Sequence, residues 1–313
     1  MVQFLLRKVI SSLILVVVVT AATFMLIFSN GPSIARAVLG QNATADQVAA
    51  KVQELGLDQP VITQYLKWLG GLLQGSLGAS YFTGEPVTNM MASRIPVTLS
   101  LVLISLVFTI ILSVLIGVAA AVRGGWLDKV LQIAAVTGAA VPSFVVAIAL
   151  VFVFALAMPI FPATGYVPPD QDTQGWAASL VLPVAAITVG TMANAAQQFR
   201  GAMLDVLSQD YIRTLKTRGI DERLIVFRHA LRNAAGPGLT ILSLQTIALM
   251  GGAVVIEQVF AMPGMGLLTN SAALQGDIPA VMGSVLFIII VVVTVNIAVD
   301  LINGWVNPKA RTS

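Results

Sequence analysis

Cysteine is absent from the 313 residues and histidine occurs once. Disulfide frameworks, thiolate metal sites and cysteine nucleophiles are thereby excluded, and a two-histidine metal site of the H-E-x-x-H kind cannot be assembled. No G-x-x-x-x-G-K-[ST] phosphate loop occurs, so energy from ATP must come through another chain. Charge is also sparse. Asp, Glu, Lys and Arg make up 10% of the residues and 57% are hydrophobic, with a mean hydropathy of +0.92. An ordinary soluble domain carries roughly 25% charged residues, so the composition argues against a water-soluble globule. The formal net charge of +3 is too slight for nucleic-acid binding, which rests on many phosphate contacts.

What fills the chain instead is apolar sequence. A spanning helix needs about 20 mostly apolar residues to cross roughly 30 Å of hydrocarbon. Six runs meet that length: 9–28, 97–122, 130–158, 178–199, 239–260 and 281–303. The first follows Arg7 and Lys8 and exceeds the roughly 7 to 15 apolar residues of a signal peptide. Ser29-Asn30-Gly31-Pro32 after it is a poor cleavage site, so the run reads as a permanent anchor. With the N-terminus inside, Arg7, Lys8, Arg123, Lys129, Arg200, Arg213, Lys216, Arg218, Arg223, Arg228, Arg232, Lys309 and Arg311 fall on the cytoplasmic side, 13 of 17 basic residues. That bias places both termini in the cytoplasm. Arg36, Lys51, Lys67 and Arg94 share one long outer segment with Asp46, Glu54, Asp58 and Glu85.

The organisation expected is therefore an N-terminal anchor (1–29), an extracytoplasmic helical segment (30–96) and a membrane core (97–313) containing a cytoplasmic loop, 200–237. In the outer segment, Thr44-Ala45-Asp46-Gln47 fits a capping box, Val48, Val52 and Leu55 follow at helical spacing, and Gly56 supplies a stop. A second helix starts at Pro60 with Ile62, Tyr65, Leu66, Leu69 and Leu73 as its apolar stripe. This segment suits a docking surface, a lid over a passage, or an amphipathic cap on the membrane. In the loop, Leu204, Leu207, Tyr211 and Leu215 recur at helical spacing as one face. Gly219 then breaks the helix, and a second one carries Leu224, Phe227 and Leu231. Helix links in bundles are usually about 2 to 8 residues. A hairpin this long is fitted to fill a groove on a soluble partner.

The residues of that hairpin carry a resemblance. Asp210-Tyr211-Ile212-Arg213-Thr214-Leu215-Lys216-Thr217-Arg218-Gly219, with Arg228-His229-Ala230-Leu231-Arg232-Asn233-Ala234 and Pro237, resembles the EAA loop of ABC-importer permeases in its peptide-permease version. Gly252-Ala253-Val254-Val255-Ile256-Glu257-Gln258-Val259-Phe260, followed by Pro263-Gly264-Met265-Gly266, is similar to the signature of the first permease subunit of dipeptide and oligopeptide importers. Leu55 to Pro60, Gly75 to Ser80, Asp277-Ile278-Pro279, Val299-Asp300-Leu301 and Asn307-Pro308-Lys309 extend the likeness along the whole chain. Departures are Arg213-Thr214-Leu215 where the general loop has Glu-Ala-Ala, Gly236 before Pro237, and Ser29-Asn30-Gly31-Pro32 in place of Pro-Gly-Asp-Pro.

The resemblance implies an all-α membrane protein with six transmembrane helices, the type I ABC importer permease fold with a cytoplasmic EAA coupling hairpin. It implies a non-catalytic transport subunit in the cytoplasmic membrane of a prokaryote, binding no cofactor itself, with ATP and Mg held by partner ATPases. Its implied partners are a second homologous permease, two ATPase domains, an extracytoplasmic peptide-binding protein and the lipid bilayer, and no nucleic acid. Tyr211, Arg213, Thr214, Lys216, Gly219 and Ile220 are the expected grip on the ATPase. Glutathione, nickel complexes and haem are alternative cargoes of related permeases. A stand-alone secondary transporter fits less well, since neither midplane ion groups nor inverted repeats are evident.

Within the spans, an ionised Glu257 is costly at the bilayer centre, about 2.5 to 3.5 kcal/mol. It faces the interior or snorkels to the rim, either meeting a peptide amino terminus, holding a gate, or capping the turn at 261–266. Asn194, Gln197 and Gln198 form a polar cluster suited to a translocation path or to exit from the bilayer. Pro142 and Pro183 interrupt two spans and free carbonyls there. Asp300 is expected to be neutralised by Lys309 or Arg311. His229, flanked by Arg228 and Arg232, reads as a surface polar residue without a catalytic role.

Overall fold

The computed structural model describes residues 2–28 and 31–306. Ser29, Asn30 and 307–313 lie outside the described residues, and with them the expected partners of Asp300. The described chain is all-α: α1 (Val2–Ile27), α2 (Gly31–Leu39), α3 (Ala45–Glu54), α4 (Val61–Leu73), α5 (Val87–Ala92), α6 (Ile95–Arg123), α7 (Gly125–Ala140), α8 (Ser143–Val151), α9 (Thr173–Leu207), α10 (Asp210–Thr217), α11 (Glu222–Leu224), α12 (Leu231–Val259), α13 (Met265–Gln275) and α14 (Ile278–Val306). Wide π-turns, Phe152–Ala157 and Ile225–Ala230, follow α8 and α11.

Among the described residues, four segments are long and apolar enough to cross a membrane: Arg7–Ile27, Val87–Arg123, Thr173–Leu207 and Ile278–Asn303. A fifth candidate is broken, Gly125–Gly138 meeting Ser143–Ala157 at 98°. The described apolar part of the run 239–260 is Leu244–Val259. The run 130–158 is thus two helices and not one, because Pro142 lacks the amide that would continue the ladder and restarts it as the cap of α8. Pro183 does not interrupt: α9 continues through it for 35 residues.

The chain divides into two units. The first comprises 1–98 and 263–291. Thr44 forms the expected capping box, its hydroxyl accepting from the Gln47 amide and its own amide donating to Gln47 Oε1 at 2.9 Å. Gly56, at φ +68°, ends α3 as expected. The core gathers Phe24, Ile34, Leu57, Tyr65, Ile278 and Met282. Tyr65 stands edge-on to Phe24 and stacks on Trp68. The stripe expected on α4 is only partly the buried one. Tyr65 turns inward with Val61, Trp68 and Leu69 packed beside it, whereas Ile62, Leu66 and Leu73 are exposed. Asp277 accepts from the Ser80 hydroxyl at 2.5 Å and the Tyr81 amide at 3.1 Å. Burial, with the Asp277 charge beside it, pushes the Tyr81 phenol up to about 12.

The second unit comprises 99–262 and 292–313. Here α9 is the central member, packed by α7, α8 and α12. Ser105, Thr109 and Ser113 are buried at four-residue spacing along α6, and Gly117 continues the row. Thr109 and Thr191 hydroxyls lie 3.0 Å apart, and Ser113 donates to the Met192 carbonyl at 3.2 Å. A Cβ on Gly117 would stand 2.6 Å from the Ala196 carbonyl oxygen and 3.0 Å from the Arg200 amide. Small residues let apolar helices approach closely and hydrogen-bond across the contact. Gly117→Ala should therefore force the helices apart and cost about 1 to 3 kcal/mol, read as a lower unfolding temperature in detergent; an unchanged temperature would show that the contact yields freely.

A candidate coupling hairpin and a cavity at a helix break

The hairpin grows out of α9, which continues to Leu207. Ser208 ends it, its hydroxyl donating to the Asp205 carbonyl at 2.8 Å, a local bond that competes with the helix ladder. The chain restarts at Asp210, so Leu204, Leu207, Tyr211 and Leu215 do not form one face of one helix. Met203, Val206 and Ile212 take the inward positions and Leu204 is exposed.

At the far end of α10, Gly219 adopts φ +74°. Its amide donates to the Lys216 carbonyl at 3.0 Å, and the Ile220 amide reaches back to the Leu215 carbonyl at 3.3 Å. This pair of bonds is a Schellman stop, normally accompanied by an apolar contact between the residues it brings together. Leu215 and Ile220 both pack on the hairpin core of Val118, Met203, Val206, Ile212, Ile225, Val226, Ala230 and Ala234. Ile225–Ala230 is wound as a π-turn, which widens the turn and rotates the residues after it. The inward residues are Ile225, Val226 and Ala230, while Leu224 and Phe227 of the apolar set expected on this second helix stand out at 44% and 64% exposure.

The six expected grip residues thus divide in two. Tyr211 and Ile220 are half-buried, and the Tyr211 hydroxyl accepts from Asn233 Nδ2 at 2.8 Å, tying α10 to α12. Arg213, Thr214, Lys216 and Gly219 are exposed. Arg213 lies 3.6 Å from Asp210 and Lys216 3.6 Å from Glu222 across the turn. Such exposed pairs contribute little stability, which leaves both cations available to another surface. At the hairpin's base, Arg200 Nη2 bonds Asp128 Oδ2 at 2.6 Å, linking α9 to α7. His229 is half-buried and its carbonyl accepts from Asn233.

The second feature lies where α7 breaks from α8. A cavity of about 260 Å³ is lined by Gly138, Val141, Ser143, Gly190, Asn194 and Gly252, among others. Asn194 and the Pro142 break meet here as neighbours. Gln197 is exposed and does not line it, and Glu257, fully buried near the C-terminal end of α12, does not either. The turn after Glu257 is closed by backbone, the Met262 amide donating to the Glu257 carbonyl at 2.8 Å. Sequence reasoning missed the glycine walls of the cavity; the signal available was small residues, Gly138, Gly190 and Gly252, recurring inside apolar runs.

Comparison with known proteins gives this arrangement its context. Residues 113–312 match the family described as binding-protein-dependent transport system inner membrane component, and residues 1–102 match the N-terminal part described for the same systems. The chain belongs to this family. It is 37% identical over 314 residues to the putative peptide transport system permease protein of Brucella abortus (strain 2308), with 99% of each chain covered. It is 34% identical over 309 residues to the probable peptide ABC transporter permease protein of Sinorhizobium fredii, covering 98% of this chain and 99% of that one. It is 31% identical over 312 residues to the glutathione transport system permease protein GsiC of Salmonella choleraesuis, again covering 99% of each. This binding-protein-dependent permease is a multi-pass inner-membrane protein whose system includes ATPase and substrate-binding partners.

The hairpin's shape should depend on Gly219. An L-residue in the left-handed region costs about 1 to 2 kcal/mol, so Gly219→Ala should open the turn and speed tryptic cleavage at Arg218 several-fold, with Gly219→Asn intermediate. Equal cleavage in all three would show that the left-handed turn does not hold the hairpin closed.

Proposed function

We propose that this permease is one half of a two-permease core that moves short peptides, from dipeptides to oligopeptides, into the cytoplasm. The second half is a similar permease, since a single copy offers one hairpin and an ATPase dimer has two grooves. In this reading six helices span the membrane, counting α7 with α8 as one broken span and α12 as another, in the type I importer fold with both termini cytoplasmic. ATP and Mg belong to the partner ATPases, and the extracytoplasmic binding protein supplies most of the selectivity.

The observation that carries the coupling role is the outward face of the hairpin. Leu224 and Phe227 are large apolar side chains exposed on a hairpin that also exposes Arg213, Lys216, Arg218 and Arg223. A few apolar anchors within a charged surround suit insertion into a groove on a soluble protein. ATP-driven closure of the ATPases would then swing the hairpin together with α9, of which it is the extension. Tyr211 and Ile220 act from behind, fixing the shape of the turn, while Arg213, Thr214 and Lys216 meet the ATPase.

Peptide cargo is supported by the two peptide-permease relatives that match nearly the whole chain. The cavity at the helix break is consistent with it, being walled by glycines with Ser143, Thr191 and Asn194 as its polar groups and no charged residue. Such a wall suits a peptide main chain whatever its side chains. In this reading Asn194 and the freed backbone at Pro142 line the path, Gln197 lies at its cytoplasmic end, and Glu257 holds the outer gate. Glutathione is the second reading, favoured by the likeness to GsiC.

The test is ATP-driven uptake in proteoliposomes holding the permease, its co-purified partners and the binding protein, with labelled di-, tri- and pentapeptides beside glutathione. Saturable peptide uptake that disappears without ATP supports the proposal, and uptake of glutathione alone replaces the cargo. Phe227→Asp should leave membrane insertion intact and lower uptake by at least tenfold; normal uptake in that variant would remove the hairpin from the coupling path.

A further inference from the structure

We propose that α4 is a membrane-seated helix, with its Ile62, Leu66 and Leu73 face solvated by lipid acyl chains of the leaflet at the C-terminal end of α1. The inference rests on α1 crossing the bilayer and is independent of what the permease carries.

Depth is the first argument. The apolar span Arg7–Ile27 is 21 residues, which at about 1.5 Å per residue matches the roughly 30 Å of hydrocarbon with little to spare. The Tyr65 hydroxyl donates to the Val17 carbonyl at 3.1 Å and lies 3.0 Å from the Thr20 hydroxyl. Val17 is the midpoint of that span, and Thr20 is about 10 Å along the helix from Ile27 at the same rise. A single tyrosine side chain cannot cover that whole distance, so the α4 backbone itself sits below the level at which α1 leaves the hydrocarbon. Ile278 and Met282, in the first turns of the spanning helix α14, pack in the same cluster as Tyr65 and Phe24.

Chemistry is the second argument. Ile62, Leu66 and Leu73 fall at positions i, i+4 and i+11, one side of the helix, and are 61%, 58% and 85% exposed. The neighbouring last turns of α1 expose Met25 and Leu26 as well. Lys67 is the one charged residue of α4, and its ammonium turns back to the Gln59 side-chain oxygen at 2.6 Å, just before the helix start. A lysine reaching from an apolar surface toward a polar boundary is the behaviour of a side chain at a membrane interface. Trp68, stacked on Tyr65, is the aromatic type enriched at that level. Water would leave the whole face unsatisfied, whereas acyl chains cover it without a protein partner.

The absence of native cysteine makes the test direct. Ile62→Cys, Leu66→Cys and Leu73→Cys, each carrying an environment-sensitive fluorophore, would be read in the intact complex in phosphatidylethanolamine and phosphatidylglycerol vesicles. Ala50→Cys, on the exposed side of α3, serves as reference. The expected result is blue-shifted emission at the three α4 positions, quenching by doxyl-labelled lipid several-fold greater than at Ala50, and protection from aqueous iodide. Iodide quenching without lipid quenching overturns the proposal. Shielding from both quenchers, or protection arising only when purified binding protein is added, assigns the face to a protein and overturns it as well.

Discussion

Hydrocarbon offers no hydrogen-bond partner, so every backbone amide and carbonyl inside it must be answered by the chain itself. The described structure follows from that constraint. Its regular structure is helical, the candidate spans are long helices, and some of the polar side chains within them bond within or between helices. Thr191 donates to its own helix at Ile187 and meets Thr109 of α6. Among the described residues, the sharp break of an apolar run at Pro142 borders a cavity with polar lining. Irregular backbone at membrane depth is tolerated where it lines such a space.

Outside the hydrocarbon the same amides are answered by caps, and the caps define the proposed coupling element. The Schellman stop at Gly219 folds α10 back, the π-turn sets which residues face in, and the Tyr211 to Asn233 bond ties the returning strand of the hairpin to α10. Because α9 runs unbroken from Thr173 to Leu207, force on the hairpin reaches the membrane core through a continuous helix. The Arg200 to Asp128 pair extends that connection to α7, the helix that ends at the Pro142 break. The proposed grip and the proposed path are thus mechanically adjacent within one unit.

Much of this was legible from residues alone. Charge scarcity and apolar run length gave the all-α membrane class, the ordered motifs from Leu55 to Asp300 gave the family, and Thr44, Gly56 and Gly219 marked their helix ends correctly. Faces were read less well, for identifiable reasons. Leu204 and Leu207 were joined to Tyr211 because spacing alone does not reveal the bend that Ser208 introduces. Leu224 and Phe227 were legible as apolar residues of the second helix, but spacing alone does not say that both face outward while Ile225, Val226 and Ala230 face in. On α4, Ile62, Leu66 and Leu73 carry the same hydrophobicity as a core stripe, and only the contact of Tyr65 with α1 separates a face turned to lipid from one turned to protein. In each case the local pattern was real and its environment was set by tertiary packing.

The central claim is that the hairpin seats Phe227 on a partner ATPase. Its most direct test is site-specific cross-linking from this cysteine-free chain: Phe227→Cys, carrying a short photoreactive group, in membranes containing the whole transporter. The account predicts a covalent adduct with the ATPase subunit whose yield changes when ATP is bound, and none from the same label placed at Ala50. A complex that transports normally yet gives no ATPase adduct from Phe227→Cys would contradict it.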